Sequence, residues 1–242
     1  RYISVTGVQT CALPISRMMQ DAPPDAVGVV DTMGCILPEG MKHMVRLVKK
    51  LTGLPVECHT HNDFGMAVAT ELAGVEAGAE CVHSCSNGLG ERTGNAALEE
   101  LMVCLHVLYG YDTQYKLDKL PELGELVSKI SGFPTAANKP ILGSRNFTRE
   151  SGIGVDLVRK LPLAMFGTHP ALTGRTGDIV LGKKSGKLSI TYSLEEMGIT
   201  DAPDEAISEM LAKVKEKGIT KKGILTQDEF RSIVDSVLAP KA

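Results

Sequence analysis

The first half of the chain alternates between short apolar runs and longer stretches in which apolar residues recur at helical spacing. The apolar runs predict strands, at residues 26–31, from Val56 onward and at 79–86. The first of them is continuous, as expected for a strand buried on both faces of a parallel sheet. The helical stretches are residues 38–51, 65–77 and 95–109. This order, with short connections, predicts parallel strands and right-handed crossovers.

The pattern changes from Tyr111 onward. Residues 134–182 carry many Gly, Pro, Thr and Asn and little periodicity, which predicts an irregular linker region with short elements. Asp201 is the predicted cap of one closing helix, and Thr226 and Glu229 have the spacing of a capping box for the other. The helices predicted in this half are residues 120–130, 203–217 and 226–238.

Composition excludes several classes of protein. The 242 residues are 43% hydrophobic and carry a formal charge of −3, without the basic clusters typical of nucleic-acid binding. No apolar run reaches the roughly 18–20 residues of a membrane span, so we expect no membrane partner. Six cysteines at irregular spacing indicate reduced thiols and a cytoplasmic location.

The first fifteen residues read as a translated sequencing adapter rather than as native protein. The alternative is a natural N-terminal strand. We expect an artefact over residues 1–15, which is excluded from the fold. On this interpretation the native sequence begins near Ser16 and lacks its N-terminal part.

Two histidines stand at the end of the second predicted strand. Side chains alternate along a strand, so His59 and His61 point to the same side. Such a pair either grips a divalent cation or is an ordinary pair of surface histidines. The Asp31-Thr32 turn and a glycine-rich loop ending at Asn95 follow the neighbouring strands. Since the carboxyl ends of parallel strands share one edge, the three signals together predict a metal site.

Several longer motifs contain or follow these residues: Asp31-Thr32-x-Gly34…Pro38, His59-x-His61-Asn62-Asp63-x-Gly65, Asn87-Gly-x-Gly-Glu-Arg-x-Gly-Asn95, Pro140, Glu150-Ser-Gly-Ile153 and Val180-Leu-Gly-Lys-x-Ser-Gly186. Together they resemble the 2-isopropylmalate, homocitrate and citramalate synthase family of acyl-CoA condensing metalloenzymes. The resemblance implies an α/β fold in which residues 16–110 form the C-terminal part of a TIM (β/α)8 barrel, about three βα units. Residues 111–242 would be linker and helical subdomains that pack across a homodimer.

The resemblance also implies roles for single residues. His59, His61 and Asn95 would hold the metal, with an aspartate and an arginine from a first barrel strand that we expect to be missing. Thr32 would contact the substrate carboxylate. Glu91 and Arg92 either organise the glycine-rich loop or reach the substrate, and both are counted as substrate-binding candidates.

The implied reaction joins acetyl-CoA, the co-substrate, to a small 2-oxo acid. A divalent Zn²⁺, Mn²⁺ or Mg²⁺ would polarise the ketone that the acetyl-CoA enolate attacks. Thioester hydrolysis then makes the condensation irreversible. The product would be of the 2-alkylmalate type, made in amino-acid biosynthesis.

The catalytic base is not assigned by these motifs. Gly154 occupies the place of a family histidine implicated in proton transfer, and Met165 and Phe166 lie near the place of a family tyrosine. His169 is the nearby candidate base, although an ordinary loop histidine fits it better. Lys183, Lys184 and Lys187 either meet CoA phosphates or form a solvated turn, and the pattern favours a structural role for His83, His106 and Cys85.

Three other functions compete with the synthase. A 3-hydroxy-3-methylglutaryl-CoA lyase would carry a cysteine before the metal asparagine, where this chain has Glu91-Arg92-Thr93. An amidohydrolase would need further His and Asp ligands. The chain as given also reads as an inactive fragment with open sheet edges, so we expect no turnover and weakened metal binding from it.

Overall fold

The computed structural model describes Ala22 and residues 24–239. The predicted adapter therefore lies outside the described residues. The chain forms two compact units. The first runs to Lys116 and includes Glu122–Thr135; the second combines Leu117–Pro121 with the chain from Ala136 onward.

A parallel sheet of three strands organises the first unit. β1 (Val27–Asp31), β2 (Val56–Thr60) and β3 (Cys81–Val82) lie in that order, with β2 in the middle. The register aligns Asp31 with Thr60, so β1 and β2 end level with each other. The helices of this unit are α1 (Pro38–Thr52), α2 (Ala67–Glu76), α3 (Leu98–Val107) and α4 (Leu120–Ser131), the last from Glu122 onward. The predicted α/β class is confirmed.

The helices cover one face of the sheet. Val29 and Cys58 point toward this face and pack with Met41 and Val45 of α1 in a buried apolar cluster. The opposite face is open in the described residues: Val30 is 53% exposed, and the Glu57 and His59 side chains are partly exposed. The expectation that the first strand is buried on both faces is wrong here, because the continuous apolar run conceals an alternation of buried and exposed positions.

The second unit is mainly helical, as predicted for the C-terminal region. The predicted irregular stretch holds the short parallel pair β4 (Thr148–Arg149) and β5 (Asp178–Ile179) with α5 (Val155–Lys160). Its helical part consists of α6 (Lys187–Glu196), α7 (Asp204–Lys221) and α8 (Gln227–Leu238). Their buried side chains form one core, which includes Ile190, Leu194, Met210, Val214, Phe230 and Val234.

Two helix starts test the predicted caps. The capping box of α8 is confirmed: the Thr226 hydroxyl accepts from the Glu229 N–H, and the Glu229 carboxylate accepts from the Thr226 N–H. Asp201 is not the cap of α7, because Pro203 occupies that position and no side-chain cap bond forms there. Pro203 has φ −60° and ψ 150°, the extended backbone that is typical of an N-cap residue.

No helix within residues 24–239 combines the length and apolar character needed to cross a bilayer. The five cysteines in this range, Cys35, Cys58, Cys81, Cys85 and Cys104, all have free thiols.

Candidate metal centre

His59 and His61 stand at the carboxyl end of the middle strand. His59 is on the open face of β2, and His61 follows the strand by one residue. Their rings meet edge to face, with centroids 5.2 Å apart and planes at 82°. Alternation along the strand thus brings two imidazoles to the same side, as their spacing predicts.

The glycine-rich loop after β3 carries Asn95 back toward these histidines. The Asn95 N–H donates to the Gly88 carbonyl at 3.2 Å, which closes the loop on itself. Gly94 has a φ of 86°, and a methyl group there would overlap the Gly88 carbonyl oxygen, so only glycine fits. The Asn62 N–H donates to the Gly94 carbonyl at 2.9 Å. The loop is thereby fixed to the end of β2.

The Asn95 side chain reaches His59 directly. Asn95 is 6% exposed, and its Nδ2 lies 3.3 Å from His59 Nε2 and 3.4 Å from the Thr60 carbonyl oxygen. Its Oδ1 faces the Cys85 thiol, which donates to it at 3.7 Å. Because the two ends of an amide are nearly the same shape, a half-turn of the group presents Oδ1 to a cation beside His59.

One ring nitrogen of His61 lacks a hydrogen bond, and this shows whether a cation would fit the site. Its Nδ1 is buried and has no hydrogen-bond partner among the described residues. An unpaired buried polar atom costs free energy, and a bound cation would satisfy it. Burial lowers the pKa of His59, and His61 and His83 lower it further, which favours the neutral imidazole that binds metals. Two imidazoles and an amide oxygen suit Zn²⁺, Mn²⁺ or Mg²⁺, so the residues present fit the predicted ion.

Arg92 ties together the loops that follow all three strands. Its Nε donates to Asp63 Oδ1 at 2.9 Å, and its Nη2 donates to Asp63 Oδ2 at 3.0 Å and to the Thr32 carbonyl at 2.6 Å. The guanidinium hydrogen bonds hold the pKa of Asp63 below its usual range. Arg92 therefore holds together the loops that follow the three strands. These loops, which carry Thr32, Asp63 and Arg92, form the rim of the site.

The other substrate-binding candidates lie on the same rim. Thr32 is exposed, and the Glu91 side chain is 79% exposed. Asp31, which precedes Thr32, is buried, and its carboxylate accepts from the N–H groups of Cys35 and Ile36 at 3.1 and 3.0 Å. Asp31 thus shapes the turn, and Thr32 faces outward.

His83 and Glu57 complete a cluster on the open face that the sequence pattern did not reveal. His83 Nδ1 lies 3.3 Å from His59 Nδ1, and His83 Nε2 lies 3.4 Å from Glu57 Oε2. Together with Cys81, these two residues also form a group of possible metal ligands. The missing signal was the register of β2 and β3, which pairs Glu57 with Cys81 and so brings both strands' residues to one face.

The second unit holds the remaining candidates. His169 is exposed and caps the short helical turn at Pro170–Thr173, where its Nδ1 accepts from the Ala171 N–H at 3.2 Å. Gly154 is the N-cap residue before α5 and has a φ of 79°, and a Cβ there would meet the Met165 side chain at 2.8 Å. This backbone favours glycine over the histidine of the family pattern. A catalytic role for His169 stays a prediction.

Comparison with known proteins gives consistent similarities. The family described as HMGL-like matches residues 8–127. A homocitrate synthase of Methanocaldococcus jannaschii is 40% identical over 228 residues, which are 93% of this chain and 55% of that protein. The 2-isopropylmalate synthase of the same organism is 40% identical over 95% of this chain and 45% of its own length.

An (R)-citramalate synthase of that organism is 40% identical over 80% of this chain and 39% of its own length. The chain thus spans about half the length of the curated relatives it matches. Among solved structures, an HMG-CoA lyase from Acinetobacter baumannii aligns with 51% of this chain and 43% of its own, at 24% identity and a TM-score of 0.46.

Proposed function

Because the chain belongs to the HMGL-like family, with citramalate, homocitrate and 2-isopropylmalate synthases as relatives, we propose that it carries the metal site of an acetyl-CoA-dependent synthase. The reaction would be the condensation of acetyl-CoA with a 2-oxo acid. The observation that carries this proposal is the convergence of His59, His61 and Asn95 at the strand ends, with the His61 Nδ1 atom buried and unpaired among the described residues.

Each residue of the rim has a role in this proposal. His59 and His61 hold the ion through ring nitrogens, and Asn95 holds it through Oδ1. When bound, a divalent ion supplies the Lewis acidity that polarises a ketone. Arg92 keeps the loop of Asp63 and the backbone of Thr32 in place, so that the Thr32 hydroxyl can receive the substrate carboxylate.

Fewer contacts define the roles of the candidate base His169 and of the exposed Glu91. Glu91 extends into solvent beside Arg92, where it can reach a substrate that occupies the rim. His169 remains the candidate base. Its Nδ1 is used by the Ala171 N–H, which leaves Nε2 as the nitrogen that could accept a proton.

We further propose that the three strands are part of a larger (β/α)8 barrel. The support is the open face of the sheet, where Val30 is 53% exposed. Parallel sheets are normally covered on both faces, and the inner face of a barrel is packed with side chains. On this view the chain alone binds metal weakly and does not turn over, and the longer protein forms a homodimer.

Metal binding by this chain tests the site. We expect Co²⁺, used as a spectroscopic probe, to bind the wild-type chain, and His61→Ala to abolish the binding. His43→Ala is the matched control, because His43 is an exposed histidine of α1. Equal Co²⁺ affinity for the wild type and His61→Ala would contradict the site. Circular dichroism spectra establish that each variant is folded.

Turnover requires a second experiment. Thiol release from acetyl-CoA is measured with pyruvate, 2-oxoisovalerate and 2-oxoglutarate, first for this chain alone and then for a chimera. In the chimera this chain replaces the matching part of the M. jannaschii homocitrate synthase. We expect release only from the chimera, and its loss in the His61→Ala chimera. A folded, Co²⁺-binding chimera without release would contradict a synthase, and cleavage of 3-hydroxy-3-methylglutaryl-CoA instead would identify a lyase.

A further inference from the structure

The two ring nitrogens of His59 point in opposite directions. One could bind a metal, and the other contacts a neighbouring side chain. Nε2 faces Asn95 at 3.3 Å, at the candidate metal centre. Nδ1 faces His83 Nδ1 at 3.3 Å, and the other nitrogen of His83 faces Glu57 Oε2 at 3.4 Å. The three side chains therefore form a continuous row on the open face, which begins at Glu57 and ends at the metal centre.

The positions of the protons along this row follow from the chemistry of Glu57, the residue at its outer end. An ionised carboxylate only accepts hydrogen bonds, so Glu57 Oε2, at ion-pair distance from His83 Nε2, favours the neutral His83 tautomer that carries its proton on Nε2. A neutral His83 then has a lone pair on Nδ1, which accepts the Nδ1–H of His59. This leaves the lone pair of His59 on Nε2, the nitrogen that faces Asn95. One carboxylate thus favours one tautomer in each of the two histidines.

We propose that His83 and Glu57 are positioning residues that fix the ring orientation and tautomer of His59 for metal binding. The inference rests on the proposed function, since it presupposes a metal at His59. Metal-binding histidines commonly donate their second N–H to a carboxylate or another acceptor, which raises the basicity of the ligand. Here the acceptor is a second histidine, itself held by a carboxylate from the strand that carries His59.

Cross-strand geometry explains why this row can form. Glu57 and His59 alternate with the buried residues of β2, so both project from the open face. Cys81 lies opposite Glu57 in the parallel register, and His83 is two residues further along the same strand direction. The His83 N–H donates to the Cys58 carbonyl at 2.9 Å, which continues the ladder and holds His83 beside His59.

A cation bound directly by Glu57, Cys81 and His83 is the competing arrangement. Burial and the neighbouring Glu57 and Glu71 carboxylates raise the pKa of Cys81, which disfavours the thiolate that a metal needs. Both nitrogens of His83 are also engaged in the row. The geometry therefore favours the row, and Cys81→Ser distinguishes the two arrangements.

Imidazole nitrogen NMR of the metal-free chain tests the tautomers without any activity measurement. At a pH where both rings are neutral, we expect His59 as the Nδ1–H form and His83 as the Nε2–H form. Glu57→Leu should let both rings exchange between tautomers, and Glu57→Gln should largely retain the wild-type pattern because its amide oxygen accepts the same bond. An Nε2–H form of His59 in the wild type would overturn the proposal.

Co²⁺ affinity gives the second readout. We expect His83→Leu to weaken binding by about tenfold or more, the usual effect of losing a partner of a metal ligand. His83→Asn should recover much of the affinity, since its Oδ1 can accept the His59 Nδ1–H. Cys81→Ser, the matched control on the same strand, should bind as the wild type does. Urea midpoints of the variants separate loss of binding from loss of folding.

The outcomes distinguish the two proposals. If the wild type binds Co²⁺ and His59→Ala and His61→Ala do not, but His83→Leu binds normally, the row is wrong and the metal site stands. A Co²⁺ equivalent lost in Cys81→Ser would replace the row by a second metal site. If the wild type binds no Co²⁺ and the NMR tautomers are as expected, the metal site fails while the row of Glu57, His83 and His59 remains.

Discussion

At the scale of single residues, Glu71 opposes the folding of the first unit when it ionises. Its side chain is fully buried beneath the sheet, and its Oε1 lies 3.0 Å from the Thr60 hydroxyl. Its Oε2 has no hydrogen-bond partner among the described residues. Burial raises the pKa of Glu71 from 4.5 to about 7, against the lowering effect of Thr60. The folded unit thus favours the protonated carboxyl group.

This shift predicts that the first unit loses stability as the pH rises. Below pH 4.5, Glu71 is protonated in both states and costs nothing. As the pH rises from there through about 7, the unfolded chain releases a proton that the folded chain retains. The loss is on the order of 3 kcal/mol above this range. Urea unfolding of wild type and Glu71→Gln measures it, and the variant should lack this part of the pH dependence.

Glu125→Gln provides the control for this experiment. Glu125 is an exposed residue of α4, so its replacement should leave the pH profile of the urea midpoint unchanged. If Glu71→Gln and Glu125→Gln give the same profile as the wild type, ionisation of Glu71 does not govern the stability of this unit.

The same scale shows how far residues can be assigned from sequence alone. His59 and His61 follow from alternation along one strand, and Asn95 follows from a motif. His83 and Glu57 required the pairing between β2 and β3, which alternation along a single strand does not contain. The interactions of Arg92 with Asp63 and Thr32 join positions far apart in the chain, and no local pattern encodes them.

At the scale of elements, the turns after β1 and β2 pack against each other. Gly34 has a φ of 61°, and a Cβ there would lie 2.7 Å from the Asp63 N and 2.8 Å from the His61 carbonyl oxygen. Gly53, at the end of α1, has a similar φ of 69°, but a Cβ there would meet no atom of the described residues within 4 Å. The two glycines share one backbone conformation and differ in packing.

Alanine at these two positions separates backbone strain from steric overlap. Gly53→Ala should cost about 1–2 kcal/mol, the cost of a left-handed backbone with a Cβ. Gly34→Ala should cost a further 1–3 kcal/mol, roughly that of overpacking, because the turn after β2 must move. Urea unfolding of the two variants measures the difference. Equal losses of unfolding free energy would mean that the turns after β1 and β2 can move apart without a further cost.

Elements with strong periodicity are predictable from the sequence, and one weaker element is not. The helices α1, α4 and α8 have apolar residues concentrated on one face, and α8 also has its capping box. The helix α6 follows a Lys/Gly segment, begins after Gly186 and buries only Ser189, Ile190 and Leu194. Its helical state depends on packing with α7 and α8, which local propensity does not report.

At the scale of the whole molecule, the sequence predicted the α/β and helical parts, but not that one face of the sheet is exposed in the described residues. An apolar run such as that of β1 indicates burial without saying what supplies the cover. In the described residues, Val30 and its neighbours have cover on one face only. A surface of this kind favours association with another copy, because outer parallel strands also offer unpaired backbone groups.

This open face predicts that the chain self-associates through the sheet. Val30→Asp places a charge at the 53% exposed position and should reduce association, as measured by sedimentation over a wide range of concentration. Leu161→Asp, at a 55% exposed position in the second unit, is the matched control and should associate as the wild type does. If the control alone reduces association, the contact lies in the second unit. If neither variant does, the sheet face is not the associating surface, and its exposed valine requires no partner.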